Sequence, residues 1–206
     1  MNQEKLYLYP MWIRLWHLIN AVLCLILMIT GISMQFSSKQ VTIVQFDSAV
    51  TIHNLSGIIL IINYVFFFIG NFITSNGRYY QFSSSGLFYR LKKQVIYYTH
   101  GVLNKETPPF PINKDKKFNP LQQFTYVIVM YIFVPIILIS GLALLYPETI
   151  PVSIMYVSGL HFIDFLHILS GFIVSMFMFI HIYFCTIGKS PLSNFKSIIN
   201  GYHETY

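Results

Sequence analysis

Four long apolar runs, separated by polar stretches, dominate the chain: about Trp12 to Phe36, Val50 to Ile73, Phe124 to Tyr146 and His161 to Ile187. A hydrocarbon core about 30 Å thick takes roughly 20 apolar residues to cross as a helix, and each run is long enough. In lipid, every backbone N–H and C=O must be satisfied within the chain, so uncharged runs of this length read as helices. The expected fold is all-α, an integral membrane four-helix bundle, with residues 1–206 forming a single transmembrane domain. A loop of some fifty residues, 74–123, joins the second and third spans. Pro135 falls inside the third run and is expected to kink that helix, which a bundle tolerates.

The long loop has a pattern of its own. Between Ser85 and Val102, Leu87, Phe88, Leu91, Val95 and Ile96 alternate with Arg90, Lys92 and Lys93, as in an amphipathic helix lying along a membrane surface. Pro108-Pro109-Phe110-Pro111 follows and must be extended, because proline disfavours helix in the residue before it.

Composition sharpens the picture. The chain is 55% hydrophobic and only 10% charged, whereas a soluble domain carries about 25% charged residues. Of thirteen Lys and Arg, only Lys39 falls in the first or third connection. Lys5, Arg14, eight in the long loop, Lys189 and Lys196 lie on the other side, so the positive-inside bias places both termini and the long loop in the cytoplasm. The net charge of +6 is thus used by topology, and no nucleic-acid partner is expected. Cys24 and Cys185 both sit in apolar runs and read as small buried hydrophobes. The first run is too long for a signal-peptide core and lacks a small-residue cleavage site, so it is expected to be kept, with the mature chain starting at Met1.

Four of the seven histidines fall within the spans: His17, His53, His167 and His181. Ionisable side chains are costly in a bilayer and generally face a bundle interior. His167 and His181 are fourteen residues apart, close to four turns, so they share one helix face at levels about 21 Å apart. With the topology above, His17 and His181 lie at the cytoplasmic level, and His53 and His167 at the outer level. Two imidazoles at one depth can hold a haem iron from both sides, so two haem b groups stacked between the helices are expected. Zinc in a closed site needs four ligands around one metal, and the separation of the two levels forbids it. Gly31, fourteen residues after His17, is expected to admit the edge of the outer haem. Gly57, Gly141 and Gly171 lie near the same level. Arg14, one turn before His17, is a candidate partner for a haem propionate as well as a positive-inside anchor. Asp164, one turn before His167, reads as marking the outer end of its helix or as setting a proton pathway, His161 as interfacial, and His100 and His203 as solvated cytoplasmic residues.

These features resemble the b-type cytochrome subunits of nickel-iron hydrogenases, formate dehydrogenase gamma subunits and thiosulfate reductase cytochrome b subunits, within the bacterial di-haem cytochrome b561 group. The residues that carry the likeness are Arg14-Leu-Trp-His17 with Asn20 and Thr30-Gly31, Ile52-His53-Asn-Leu-Ser-Gly57, Phe118-Asn-Pro-Leu-Gln122, His167 with His181, Gly188, and Asn200-Gly201-Tyr202. The resemblance implies the same pairing, first-span with last histidine and second-span with penultimate. It also implies a quinone site near the cytoplasmic haem, served by menaquinone or ubiquinone, and docking of an extracytoplasmic catalytic subunit or multihaem cytochrome c on the outer face. The expected function is a membrane electron relay between the quinone pool and that partner. Two rivals are a free-standing quinone oxidoreductase and, in another class, a small proton channel or transporter using the histidines as relays. The last predicts a colourless protein.

Overall fold

The computed structural model describes residues 5–38, 43–81, 83–154 and 156–204; Met1 and Lys39 lie outside them. Strand β1 (Lys5–Tyr7) leads into α1 (Met11–Gln35), followed by α2 (Phe46–Ile73), a 3-10 helix (Ser75–Tyr80) and α3 (Leu87–Ile96). Next come α4 (Pro120–Ile128), α5 (Val134–Leu145), the short strands β2 (Ser153–Ile154) and β3 (Val157–Ser158), α6 (Gly159–Cys185), α7 (Ser193–Asn200) and β4 (Tyr202–Glu204).

The four apolar runs are four helices long and apolar enough to cross a membrane: α1, α2, Pro120–Leu145 and α6. Even the most enclosed of them, α2, has only 33% of its most apolar stretch buried. Such surfaces need an apolar solvent, because leaving them in water forfeits about 25 cal/mol for every Å². The structure is mostly helical, as a membrane bundle requires.

The helix ends explain where hydropathy misplaced the boundaries. α2 begins four residues before the uncharged run, with Asp47 in its first turn, where a carboxylate meets the positive end of the helix dipole. The third helix starts at Pro120 because Asn119 caps it. Its side chain accepts from the Gln122 N–H, and the Gln122 side chain accepts from the Asn119 N–H, a reciprocal capping box with proline at the first helical position. That is the structural content of the Phe118-Asn-Pro-Leu-Gln122 motif. Further along, a π turn at Val129–Phe133 joins α4 to α5. Pro135 has no N–H to give, and its ring crowds the carbonyl one turn back; the widened turn is the form the expected irregularity takes.

The chain divides into two compact units. One comprises Leu15–Phe68 and Tyr131–His181. Its first connection is closed by Ser33, whose hydroxyl donates to the Val44 carbonyl at 2.8 Å and accepts from the Val44 N–H at 2.9 Å. Trp16 stacks on the fully buried Phe67 with ring centroids 4.2 Å apart, and Asn63 reaches the Trp16 carbonyl.

The other unit comprises Met1–Arg14, Ile69–Met130 and Ile182–Tyr206. Here β1 pairs antiparallel with β4, Leu6 opposite His203. His203 is only 8% exposed, which corrects the expectation that it is solvated: strand pairing carries it inward. His100, by contrast, is exposed. α3 lies where the amphipathic segment was expected, and Asn119 donates to the Tyr98 hydroxyl just beyond it at 2.8 Å.

Lys117 belongs to this unit and is 3% exposed. Its ammonium bonds the Asn76 side-chain oxygen at 3.2 Å and lies over the rings of Tyr9, Tyr79 and Phe118. It forms no ion pair among the described residues. Burial lowers its pKa from 10.5 to about 8. Between those values the unfolded chain holds a proton that the folded chain has released, so stability rises with pH. Below about pH 8 both states are charged, and the cost of the buried ammonium is present in full. Tyr9, pushed up to about 12 by burial and by the Cys185 thiol, stays protonated over the window and opposes the trend only above pH 10. Relative to Lys117→Met, the wild type is therefore expected to gain stability between pH 8 and 10, by on the order of 2 kcal/mol. Equal slopes of thermal stability against pH in the two proteins would contradict it.

Candidate functional site

The four intramembrane histidines all lie in the unit Leu15–Phe68 with Tyr131–His181, and the structure brings them together in two pairs. The rings of His17 and His181 have centroids 6.1 Å apart, and those of His53 and His167 6.2 Å apart. His167 and His181 belong to the single unbroken helix α6, so the pairs stand about 21 Å apart along it.

The spacing within each pair is chemically informative. Two metal–nitrogen bonds of about 2 Å, plus about an ångström from each ring nitrogen to its ring centre, sum to roughly 6 Å. Each pair is therefore set for two imidazoles facing one metal ion. Among the described residues, no three His, Cys, Asp or Glu side chains converge as a metal-ligand set. Two imidazoles are an incomplete shell for zinc and a complete axial pair for a haem iron, whose other four ligands come from the macrocycle. The residues present fit haem.

The His53–His167 pair has a support that the sequence reading did not foresee. Nδ1 of His53 lies 2.9 Å from the Thr30 hydroxyl, and Nδ1 of His167 lies 3.1 Å from the Ser140 hydroxyl. Thr30 donates its own proton to the Ile26 carbonyl at 2.8 Å, and Ser140 donates to the Ile137 carbonyl at 3.2 Å. With that proton committed, each hydroxyl oxygen accepts from the imidazole, beside the Leu27 and Ile137 backbone groups that the His53 and His167 rings also bond, so Nδ1 carries the hydrogen and Nε2 keeps its free lone pair.

Glycine follows each hydroxyl. A methyl group at Gly141 would come within 2.8 Å of the His167 ring, and one at Gly31 within 3.5 Å of the His53 ring. The His53 imidazole lies against Gly31. Ser-Gly pairs also stand at Ser56-Gly57 and Ser170-Gly171 in the other long helices, so the sequence alone does not single out Thr30-Gly31 and Ser140-Gly141.

The His17–His181 pair is framed by aromatic rings. Phe177 stacks on His181 at 5.7 Å, and the Trp16 ring lies 6.3 Å from that of His17. Among the described residues, the buried indole N–H of Trp16 has no acceptor. Arg14, in the other unit, donates from Nε to the Ile198 carbonyl at 3.0 Å. It thereby holds the last turn of α7, where a cation meets the negative end of the dipole. His161 and Asp164 are exposed on the first turns of α6.

A family model described as prokaryotic cytochrome b561 matches residues 8–201. The chain belongs to that family. It is 37% identical over 201 residues to the "Putative cytochrome YdhU" of Escherichia coli (strain K12), a match covering 98% of this chain and 76% of that one. No solved structure matches it. Membership makes the chain a membrane b-type cytochrome whose chemistry is electron transfer, and this agrees with the four apolar helices and with the haem-compatible histidine pairs.

Proposed function

We propose that the chain holds two haem b groups, one between His17 and His181 and one between His53 and His167, and relays electrons between the quinone pool and an extracytoplasmic redox partner. The observation that carries this is the pair of ring-centroid separations, 6.1 and 6.2 Å, repeated at two levels of α6. Each haem, when bound, supplies reversible one-electron iron chemistry. His17 with His181, and His53 with His167, would each hold one haem between two imidazoles, a ligand set that would leave electron passage as its chemistry. The apolar helix faces keep water away and fix both centres in one rigid frame.

The distribution of basic residues supports an orientation in a bacterial inner membrane with both termini and the long loop in the cytoplasm. The His17–His181 centre then faces the cytoplasmic side and the His53–His167 centre the outer side. The family resemblance supports menaquinone or ubiquinone as the diffusible substrate, near the cytoplasmic centre, and a catalytic subunit or multihaem cytochrome c on the outer face.

The test is stopped-flow mixing of the oxidised protein in lipid nanodiscs with a reduced menaquinone or ubiquinone analogue, followed at the haem bands. Reduction of both centres by at least one quinol within the mixing experiment is expected. Full reduction by dithionite together with none by either quinol would remove the quinone from the scheme.

A further inference from the structure

The structure assigns Thr30 and Ser140 as matched positioning residues that fix the tautomer of His53 and His167 and hold down the reduction potential of the centre between them. This inference rests on the two-haem reading above and adds a role for two residues outside the ligand set.

Both hydroxyl-bearing side chains are 3% exposed, so water does not compete for their bonds. A buried Thr or Ser in a membrane helix ordinarily bonds its own preceding turn and needs nothing else. Here that bond is made, to Ile26 and to Ile137, and the oxygen's remaining capacity is used on an imidazole from the next long helix. α1 serves α2 through Thr30, and α5 serves α6 through Ser140. The glycine following each hydroxyl, Gly31 and Gly141, leaves the ring room to lie against the supporting backbone. Two helical hairpins thus use one device, hydroxyl then glycine, on the two ligands of one centre.

The consequence follows from ligand chemistry. A metal-bound imidazole whose other N–H is hydrogen-bonded to an acceptor is a more basic ligand. A more basic ligand favours ferric over ferrous iron, so each hydroxyl lowers the potential. Removing either should raise the potential of that centre only, because the other centre is about 21 Å away along α6.

The experiment is an optical redox titration of purified Thr30→Val, Ser140→Ala, the double variant and Thr30→Ser, each with its haem-to-protein ratio. Two haems per chain are expected throughout. One midpoint should rise by about tenfold in the reduction equilibrium, about 59 mV for one electron, in each of Thr30→Val and Ser140→Ala, and further in the double variant. Thr30→Ser, which keeps the hydroxyl, should titrate like the wild type. Loss of one haem from Thr30→Val, restored in Thr30→Ser, would equally support the assignment. Unmoved midpoints in the double variant, a shift of both centres, or loss of both haems would overturn it. A wild type without two haems would instead defeat the two-haem reading, so the two failures are separable.

Discussion

Alanine at either member of a histidine pair should cost the protein one whole haem, and the same haem for both members. His53→Ala and His167→Ala are expected to give one haem per chain with the His17–His181 centre intact. His17→Ala and His181→Ala should leave the other. The reason is geometric. The ring separations of 6.1 and 6.2 Å place one imidazole on each side of a single metal position, so either partner alone leaves a one-sided, weakly held site. The two levels are linked by the continuous helices α1 and α6 but stand about 21 Å apart, and losses at sites this far apart act independently. Haem quantification combined with low-temperature reduced spectra of the four variants reads the outcome. Loss of one common centre in all four variants would sink the two-level account.

The second large effect is expected at a glycine. Gly141→Ala places a methyl carbon 2.8 Å from Cε1 and 3.3 Å from Nδ1 of His167, inside the closest approach of non-bonded atoms. The ring cannot yield freely, because its Nδ1 is bonded to Ser140 one residue earlier on the same helix. The imidazole must therefore leave its position opposite His53, and the centre should become substoichiometric or empty. Gly31→Ala is the internal control: its methyl would sit 3.5 Å from the His53 ring, an ordinary contact, and haem content should stay at the wild-type value. Equal behaviour of the two alanine variants would show that the imidazole's approach to Gly141 is not what builds the site.

Much of this was legible in the sequence, and the parts that were not share a physical cause. Hydropathy located the four helices because the requirement for about 20 apolar residues is local and length-specific. The fourteen-residue spacing of His167 and His181 fixed two levels because helical rise is constant, and the structure brings together the pairs that follow from it. What escaped depends on contacts between distant segments. The pairing of Lys5–Tyr7 with Tyr202–Glu204 joins three-residue stretches at opposite ends of the chain, too short to show periodicity, and so His203 looked solvated. Lys117 looked like one more topological charge in a basic loop, and only the fold reveals the rings of Tyr9, Tyr79 and Phe118 around it. Thr30 and Ser140 were hidden for a different reason. Hydroxyls in membrane helices are commonly satisfied by their own backbone, so nothing in a single helix announces the second bond. The boundaries at Phe46 and Pro120 moved outward because caps and first-turn charges, Asp47 and the Asn119–Gln122 box, extend a helix beyond its apolar run.

That each histidine pair holds one haem is tested most directly by purifying the protein in detergent and recording its dithionite-reduced minus air-oxidised spectrum together with the haem-to-protein ratio. A b-type spectrum with two haems per chain is the predicted result; a fully assembled but colourless protein would contradict it.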